Sequence, residues 1–317
     1  MTRIPALAAL LVAATAGASG DFAYVRAAPT DDGVVVVDTR PLADCRAKSL
    51  AGARCLPADD FLGPHRRLPD ARDILWLLGT AGLSGSETVL VVGQDPASRD
   101  FVAGLLWLAG QRSVQVLALP VAHVLDGNAA PGRERGMIRE AVFEAPMRDG
   151  ALVLRDELRA MRPAPMLLDG RPEGEYWGEA ARTARTGHLP GAVSLPALRL
   201  RSSTDPASAT PLLPEASAHS PVAYAHDAYE GLAYLTLLVA GHGVGARLYA
   251  EGFAEWAADG SLPLDAAGYP ERAVPAAAPL ASPPSGATSS VALLAATVAL
   301  TLAAVASGFW FARRRAA

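Results

Sequence analysis

The stretch that most narrows the possible folds is Gly187-His188-Leu189-Pro190-Gly191-Ala192-Val193-Ser194-Leu195-Pro196. Two glycines and a proline make it a turn, the following residues feed a short buried strand, and Pro196 stops that strand. The stretch has an echo. Lys48-Ser49-Leu50-Ala51-Gly52-Ala53-Arg54-Cys55-Leu56-Pro57 keeps leucine, glycine, alanine, leucine and proline in register. A chain that repeats such a turn is expected to repeat the unit built around it.

The surrounding pattern extends the repeat. In the first copy Gly33–Asp38, Thr88–Val92 and Ser113–Leu117 read as buried strands, with helices over Pro41–Arg46, Asp70–Ala81 and Phe101–Ala109. In the second, Met166–Leu168, Val193–Leu195, Val222–Tyr224 and Ala246–Tyr249 read as strands, with Gly231–Ala240 as a helix. Asp38 and Asp169 lie 131 positions apart, Gly93 and Ala225 132, so the landmarks keep a nearly constant offset. Alternating strands and helices of this kind predict an α/β fold with largely parallel sheets. Expected boundaries are 21–145 for the first module and 151–265 for the second, joined by Ala145–Gly150. Tyr176–Thr186 is an insertion peculiar to the second copy, and Arg201–Ser220 reads as a surface loop.

With Leu167-Leu168-Asp169-Gly170-Arg171 upstream and Gly252-Phe253-Ala254-Glu255-Trp256 downstream, the Gly187 turn resembles the rhodanese (thiosulfate sulfurtransferase) family. The resemblance covers about Gly33–Trp256 and is looser in the first copy, where Lys48-Ser49 replaces Gly187-His188 and the tryptophan motif is not recognisable. It implies two rhodanese-like modules in tandem, each with a cysteine at the end of a central strand. That thiolate would attack a sulfur donor and carry the sulfur as a persulfide, steadied by N–H groups at the start of the next helix.

Here the corresponding positions are Gly93 and Ala225, so the nucleophile is absent from both. Asp95, Asp227 and Glu230 add negative charge beside the anion cradle and Pro96 removes a donor, so weak phosphate or thiosulfate binding is expected. The remaining candidates are mouth residues: Asp38 with Arg40, Asp169 with Arg171, and His226, Asp227, Tyr229 and Glu230, with Trp177 beside them. Asp38, Arg40, Asp169 and Arg171 read most simply as residues that fix loops. His226 and Asp227 adjoin the vacant position as an acid or base, or belong to a solvated loop. His188 reads as a hydrogen-bonding residue of the turn, whereas His65, His123, His219 and His242 lack ligand-like spacing, so no metal and no cofactor is expected.

The chain has 2 cysteines, Cys45 and Cys55. Three readings are open for them: a structural disulfide, two small buried side chains, or a redox-active pair. Accordingly two functions stand side by side. One is a non-catalytic binding or scaffold module. The other is a sulfurtransferase or thiol-redox protein working through Cys45 and Cys55.

The ends suggest where such a protein resides. Arg3, the apolar run Ile4–Ala16 and the small residues up to Gly20 have the three parts of a signal peptide over 1–20; an uncleaved N-terminal anchor is the other reading. Val291–Phe311 is an uncharged apolar run followed by Arg313-Arg314-Arg315, which predicts a membrane helix over 291–311 and a cytoplasmic tail over 312–317. A Pro/Ala/Ser-rich tether over 266–290 would join it to the body. The expected setting is therefore the cell membrane, with the body on the extracytoplasmic, periplasmic side. Membrane lipid and another exported or membrane protein are the expected partners. A net charge of −4, with 28 basic residues partly spent on the terminal arginines, argues against nucleic acid.

Overall fold

The structure, a computed structural model, describes residues 21–29, 33–125, 129–202 and 220–266. The expected signal peptide, nearly all of the 201–220 loop, the tether beyond residue 266, the apolar run and the tail lie outside the described residues. Among the described residues no helix is long and apolar enough to cross a membrane.

The first sheet grows from the run Val34–Asp38 (β2), whose β-branched side chains suit a strand covered on both faces. It pairs in parallel with Arg54–Cys55 (β4) on one side and Thr88–Val92 (β5) on the other. Ser113–Leu117 (β6) continues beyond β5. The strand Phe22–Val25 (β1) then adds itself to β6 in parallel, although the sequence reading assigned it no element. At the other edge Arg133–Glu134 (β8) pairs with β4. The resulting order is β1-β6-β5-β2-β4-β8. Ser49–Leu50 (β3) and Ala129–Ala130 (β7) form a separate antiparallel pair.

Leu167–Asp169 (β9), Val193–Ser194 (β10), Val222–Tyr224 (β11) and Arg247–Leu248 (β12) form a second parallel sheet in the order β10-β9-β11-β12. Leu152 adds a single parallel bridge to Leu248 at its free edge. Reading inward from that bridge, Leu152, β12, β11, β9 and β10 follow the same sequence of roles as β1, β6, β5, β2 and β4.

Helices fill the crossovers, as parallel strands require. The first half carries Leu42–Ala47 (α1), Ala71–Thr80 (α2) and Pro96–Ala109 (α3). In the second half lie Arg155–Ala160 (α4), Glu173–Tyr176 (α5), Ala197–Arg201 (α6), Ala228–Thr236 (α7) and Gly252–Ala258 (α8). Two starts differ from the sequence reading. Helix α3 begins at Pro96 rather than Phe101, because Asp95 caps it and Pro96 fits its first turn. Helix α7 begins at Ala228 rather than Gly231, capped by Asp227, and it loosens into a wider π turn over Leu237–Gly241.

The two halves meet along α3 and α7. A Cβ at Gly104 would stand 2.6 Å from the Leu232 carbonyl oxygen, so the missing side chain lets the helices approach. Thr236 Oγ1 donates to the Asp100 carbonyl at 2.8 Å across the same contact. Leu105 and Phe101 on one side and Leu232, Leu235 and Leu238 on the other join the core into one apolar layer. The segment 145–150 packs beside the end of α3, with the Arg148 N–H donating to the Leu108 carbonyl at 2.8 Å.

Candidate functional site

Both central strands end in the same polar device. Asp38 closes β2 with 0% exposure and its carboxylate accepts from the amide, Nε and Nη2 of Arg40, the last at 2.7 Å. Ser49 supplies a further donor at 2.6 Å. Arg40 then reaches the Lys48 carbonyl at 2.5 Å. Asp169 repeats this at the end of β9, with Arg171 Nη2 at 2.6 Å, the Tyr224 hydroxyl at 2.6 Å and the Gly187 carbonyl taking the outer Arg171 donor at 2.8 Å. Lys48 and Gly187 are the equivalent positions of the repeated turn. Each pair therefore ties its strand end to its turn, and a buried charge held by several hydrogen bonds is satisfied rather than free to react. Arg171 is 1% exposed with its guanidinium 3.7 Å from the Phe253 ring centroid, so it lies behind the second mouth rather than on it.

The Gly187 turn is held from below. Gly187 has φ +110 and its α-carbon faces Asp265, whose carbonyl would be 2.2 Å from any Cβ. Backbone bonds between His188 and Asp265, at 2.7 and 2.9 Å, fix that approach. The His188 ring stacks on Tyr176 at 3.7 Å, and its Nδ1 lies 2.9 Å from the Tyr176 carbonyl. Trp177 packs edge-on against Tyr176 and His188 rather than lining the second mouth.

The two positions expected to lack the nucleophile, Gly93 and Ala225, differ. A Cβ on Gly93 would fall 2.4 Å from Thr39 Oγ1 and 3.1 Å from Arg99 Cβ, so this position has no room for a side chain. Ala225, at the end of β11, lies on the floor of a cavity of about 690 Å³. The first mouth is a smaller hollow of about 500 Å³ bordered by Arg40, Asp44, Gln94 and Asp95.

The helix N-termini behind these positions are already occupied by the chain's own acids. Asp95 Oδ2 accepts from the Ser98 amide and hydroxyl, both at 2.8 Å. Burial pushes the Asp95 carboxyl up, but these hydrogen bonds outweigh it and hold the group below its usual range. Asp227 accepts from the Glu230 amide at 3.0 Å. Asp95 and Asp227, which read in the sequence as repelling an anion, are thus helix caps, each taking one amide of the helix start.

Around the second cavity, Arg182 from the 176–186 insertion pairs with Glu230 at 2.5 Å and Glu175 at 3.0 Å. Burial pushes Glu230 up, yet the Arg182 hydrogen bond and charge bring it below the ordinary carboxylate range. His226 stands 3.7 Å from Glu175, with its Nδ1 buried and unpartnered among the described residues. Burial, and then the Arg182 charge, lower its pKa.

The first half reaches into this mouth. Ser98 Oγ lies 2.9 Å from the Tyr229 hydroxyl, and the Arg66 guanidinium covers the Tyr229 ring at 4.1 Å. Arg66 Nε is also 3.6 Å from Asp227. Arg201 at the end of α6 bonds Asp100, which is wholly buried and also paired with Arg99 at 2.9 Å. Sequence reasoning missed Arg66, Ser98, Asp100, Arg182 and Arg201. The 182–230 pairing and the four contacts across the halves join residues far apart in the chain, so no local spacing announces them.

Cys45 and Cys55 are joined in a disulfide with a Cα–Cα distance of 5.8 Å. The half-cystines are 0% and 1% exposed. Gly132 covers them so closely that a Cβ there would stand 2.5 Å from the Cys45 sulfur. Among the described residues no group of three His, Cys, Asp or Glu side chains is arranged to hold a metal.

The comparisons with known proteins converge on one fold. A "Putative thiosulfate sulfurtransferase" of Synechococcus elongatus is 28% identical over 169 residues, 51% of this chain and 52% of that protein. The alignment therefore spans about half the length of that relative. A crystal structure named "Probable Thiosulfate Sulfurtransferase" is 25% identical, covering 74% of this chain and 99% of its own, with a TM-score of 0.55. YnjE shares the fold at 15% identity and TM-score 0.59, covering 76% of this chain and 64% of its own. The pattern of the Rhodanese-like domain family matches residues 154–259, so the second half of this chain carries a rhodanese-like domain with relatives named as thiosulfate sulfurtransferases.

Proposed function

We propose that this chain is a tandem rhodanese-like protein that binds a partner through its second mouth and does not transfer sulfur. The observation that carries the reading is the state of the two strand ends. Gly93 has no space for a nucleophile, and Ala225 places a methyl group on the cavity floor. Tandem organisation is supported by the matching strand orders and by the twin Asp38–Arg40 and Asp169–Arg171 devices. The apolar runs at both ends support an exported protein fixed by its C-terminal helix, with another exported or membrane protein as the partner. A fold can persist after its chemistry has gone.

The names of the relatives favour a second reading, sulfur transfer through Cys45 and Cys55. It requires reduction of a buried disulfide that lies away from either helix N-terminus. The test is thiosulfate:cyanide sulfurtransferase turnover by the full chain, compared with Cys45→Ser/Cys55→Ser. No turnover by either protein is expected; turnover that depends on the cysteines would establish the second reading.

A further inference from the structure

We infer that the cavity above Ala225 is a binding site for an uncharged apolar group of ring size, and that the first half of the chain builds one of its walls. This rests on the binding reading above and names the ligand chemistry of the same mouth.

The cavity, about 690 Å³, lies within the range of small-molecule sites, roughly 300–1,000 Å³. Its inner surface is made by side chains that stop at Cβ or earlier: Ala97, Gly170, Ala197, Ala225 and Ala233. Small residues from three helices, α3, α6 and α7, and from the ends of β9 and β11 leave a hollow with apolar walls, and filling it with an apolar group removes that surface from water. The Tyr229 ring completes the wall, fixed by Ser98 and Arg66 from the first half. Burial raises the Tyr229 pKa, so its hydroxyl adds no charge at neutral pH.

Charge around the cavity is already spent. Arg182 is engaged by Glu175 and Glu230, Arg199 lies 3.4 Å from Glu173, and Arg201 is bonded to Asp100. Thus each arginine at the cavity has a carboxylate partner, and the Glu230 amide at the start of α7 is bonded to Asp227. An anionic ligand would compete with these carboxylates for the same guanidinium groups. An uncharged ring displaces only water, which decides between the two classes.

Ala97 belongs to α3 in the first half and Ala197 to α6 in the second, and both are only partly buried. Replacing either by phenylalanine fills the cavity from one side without entering the closed core. The experiment is ligand-observed NMR on the full chain with two probes, indole and N-acetyl-tryptophanamide, in the parent and in Ala97→Phe and Ala197→Phe. Thermal unfolding of each variant checks folding. The parent is expected to bind at least one probe, and each variant to weaken it by about tenfold or more, corresponding to about 1.4 kcal/mol.

Binding of the capped residue is the expected result, the ring being a side chain of the protein partner, whereas binding of indole alone counts against that source. Probe binding that neither variant alters, no binding of either probe, or displacement of the probe by thiosulfate overturns the inference. None of these results depends on sulfur transfer, which is tested separately.

Discussion

Asp227 Oδ1 accepts a hydrogen bond from the Glu230 amide at 3.0 Å, so α7 is capped by the residue two positions after Ala225. Asp95 does the same for the Ser98 amide two positions after Gly93. At each helix start one backbone amide is thereby taken by the chain's own carboxylate.

Removing such a carboxylate frees its amide. Asp227→Ala is expected to lose about 1 kcal/mol of stability, the ordinary cost of an N-cap. It is also expected to gain sulfate binding that the parent lacks, read as a sulfate-dependent rise in thermal midpoint. A parent that is already stabilised by sulfate to the same extent contradicts the role given to the cap.

A cysteine fares differently at the two strand ends. At Gly93 the new side chain meets Thr39 Oγ1, so Gly93→Cys is expected to cost about 1–3 kcal/mol through overpacking. At Ala225 it enters the cavity, so Ala225→Cys is expected to stay within about 1 kcal/mol of the parent and to react with iodoacetamide before unfolding. Chemical denaturation and alkylation of the native protein measure both outcomes, and equal costs at the two sites contradict the geometry.

The disulfide acts on stability. Closing a loop between residues 45 and 55 is expected to contribute about 2–3 kcal/mol by restricting the unfolded chain. Cys45→Ala/Cys55→Ala should lower the unfolding free energy by that amount without changing the response to thiosulfate. An unaltered denaturation midpoint would show that the bond contributes nothing.

His226 gives the protein an acid-sensitive term. Burial and Arg182 lower its folded pKa below the unfolded value of about 6.5. In the window below that value the unfolded chain binds more protons, so this contribution is present above about pH 6.5 and is lost as pH falls through the folded pKa. Arg182 adds to the lowering by burial, while Glu230, Glu175 and Asp227, which also face the ring, oppose it. The unfolding free energy of His226→Gln is expected to fall less steeply than that of the parent between about pH 6.5 and 5. Identical slopes in the two proteins contradict the assignment.

The parts of the fold that were legible in the sequence are those carried by local runs. Val34–Val37 and Val89–Val92 are β-branched enough to announce buried strands, and the two Gly/Pro turns mark the repeat. Phe22–Val25 was not legible because only Phe22 is fully buried and its partner, β6, lies some ninety positions away. The helix caps had a signal that was read otherwise: Asp95-Pro96-Ala97-Ser98 and Asp227-Ala228-Tyr229-Glu230 each place an acid three residues before a residue whose amide it can accept from. Read as isolated charges, these acids argue only for repulsion; placed at α3 and α7 they become part of the backbone hydrogen bonding. The clamp on Tyr229 from Ser98 and Arg66 had no local signature, since it exists only once α3 and α7 cross.

The most direct test of the account is the intact mass of the full chain before and after thiosulfate, each measured with and without denaturing reduction. The account predicts no sulfur adduct, and a gain of two hydrogens on reduction as the Cys45–Cys55 bond opens. A sulfur atom gained from thiosulfate and removed by cyanide would contradict it and make Cys45 or Cys55 the site of transfer.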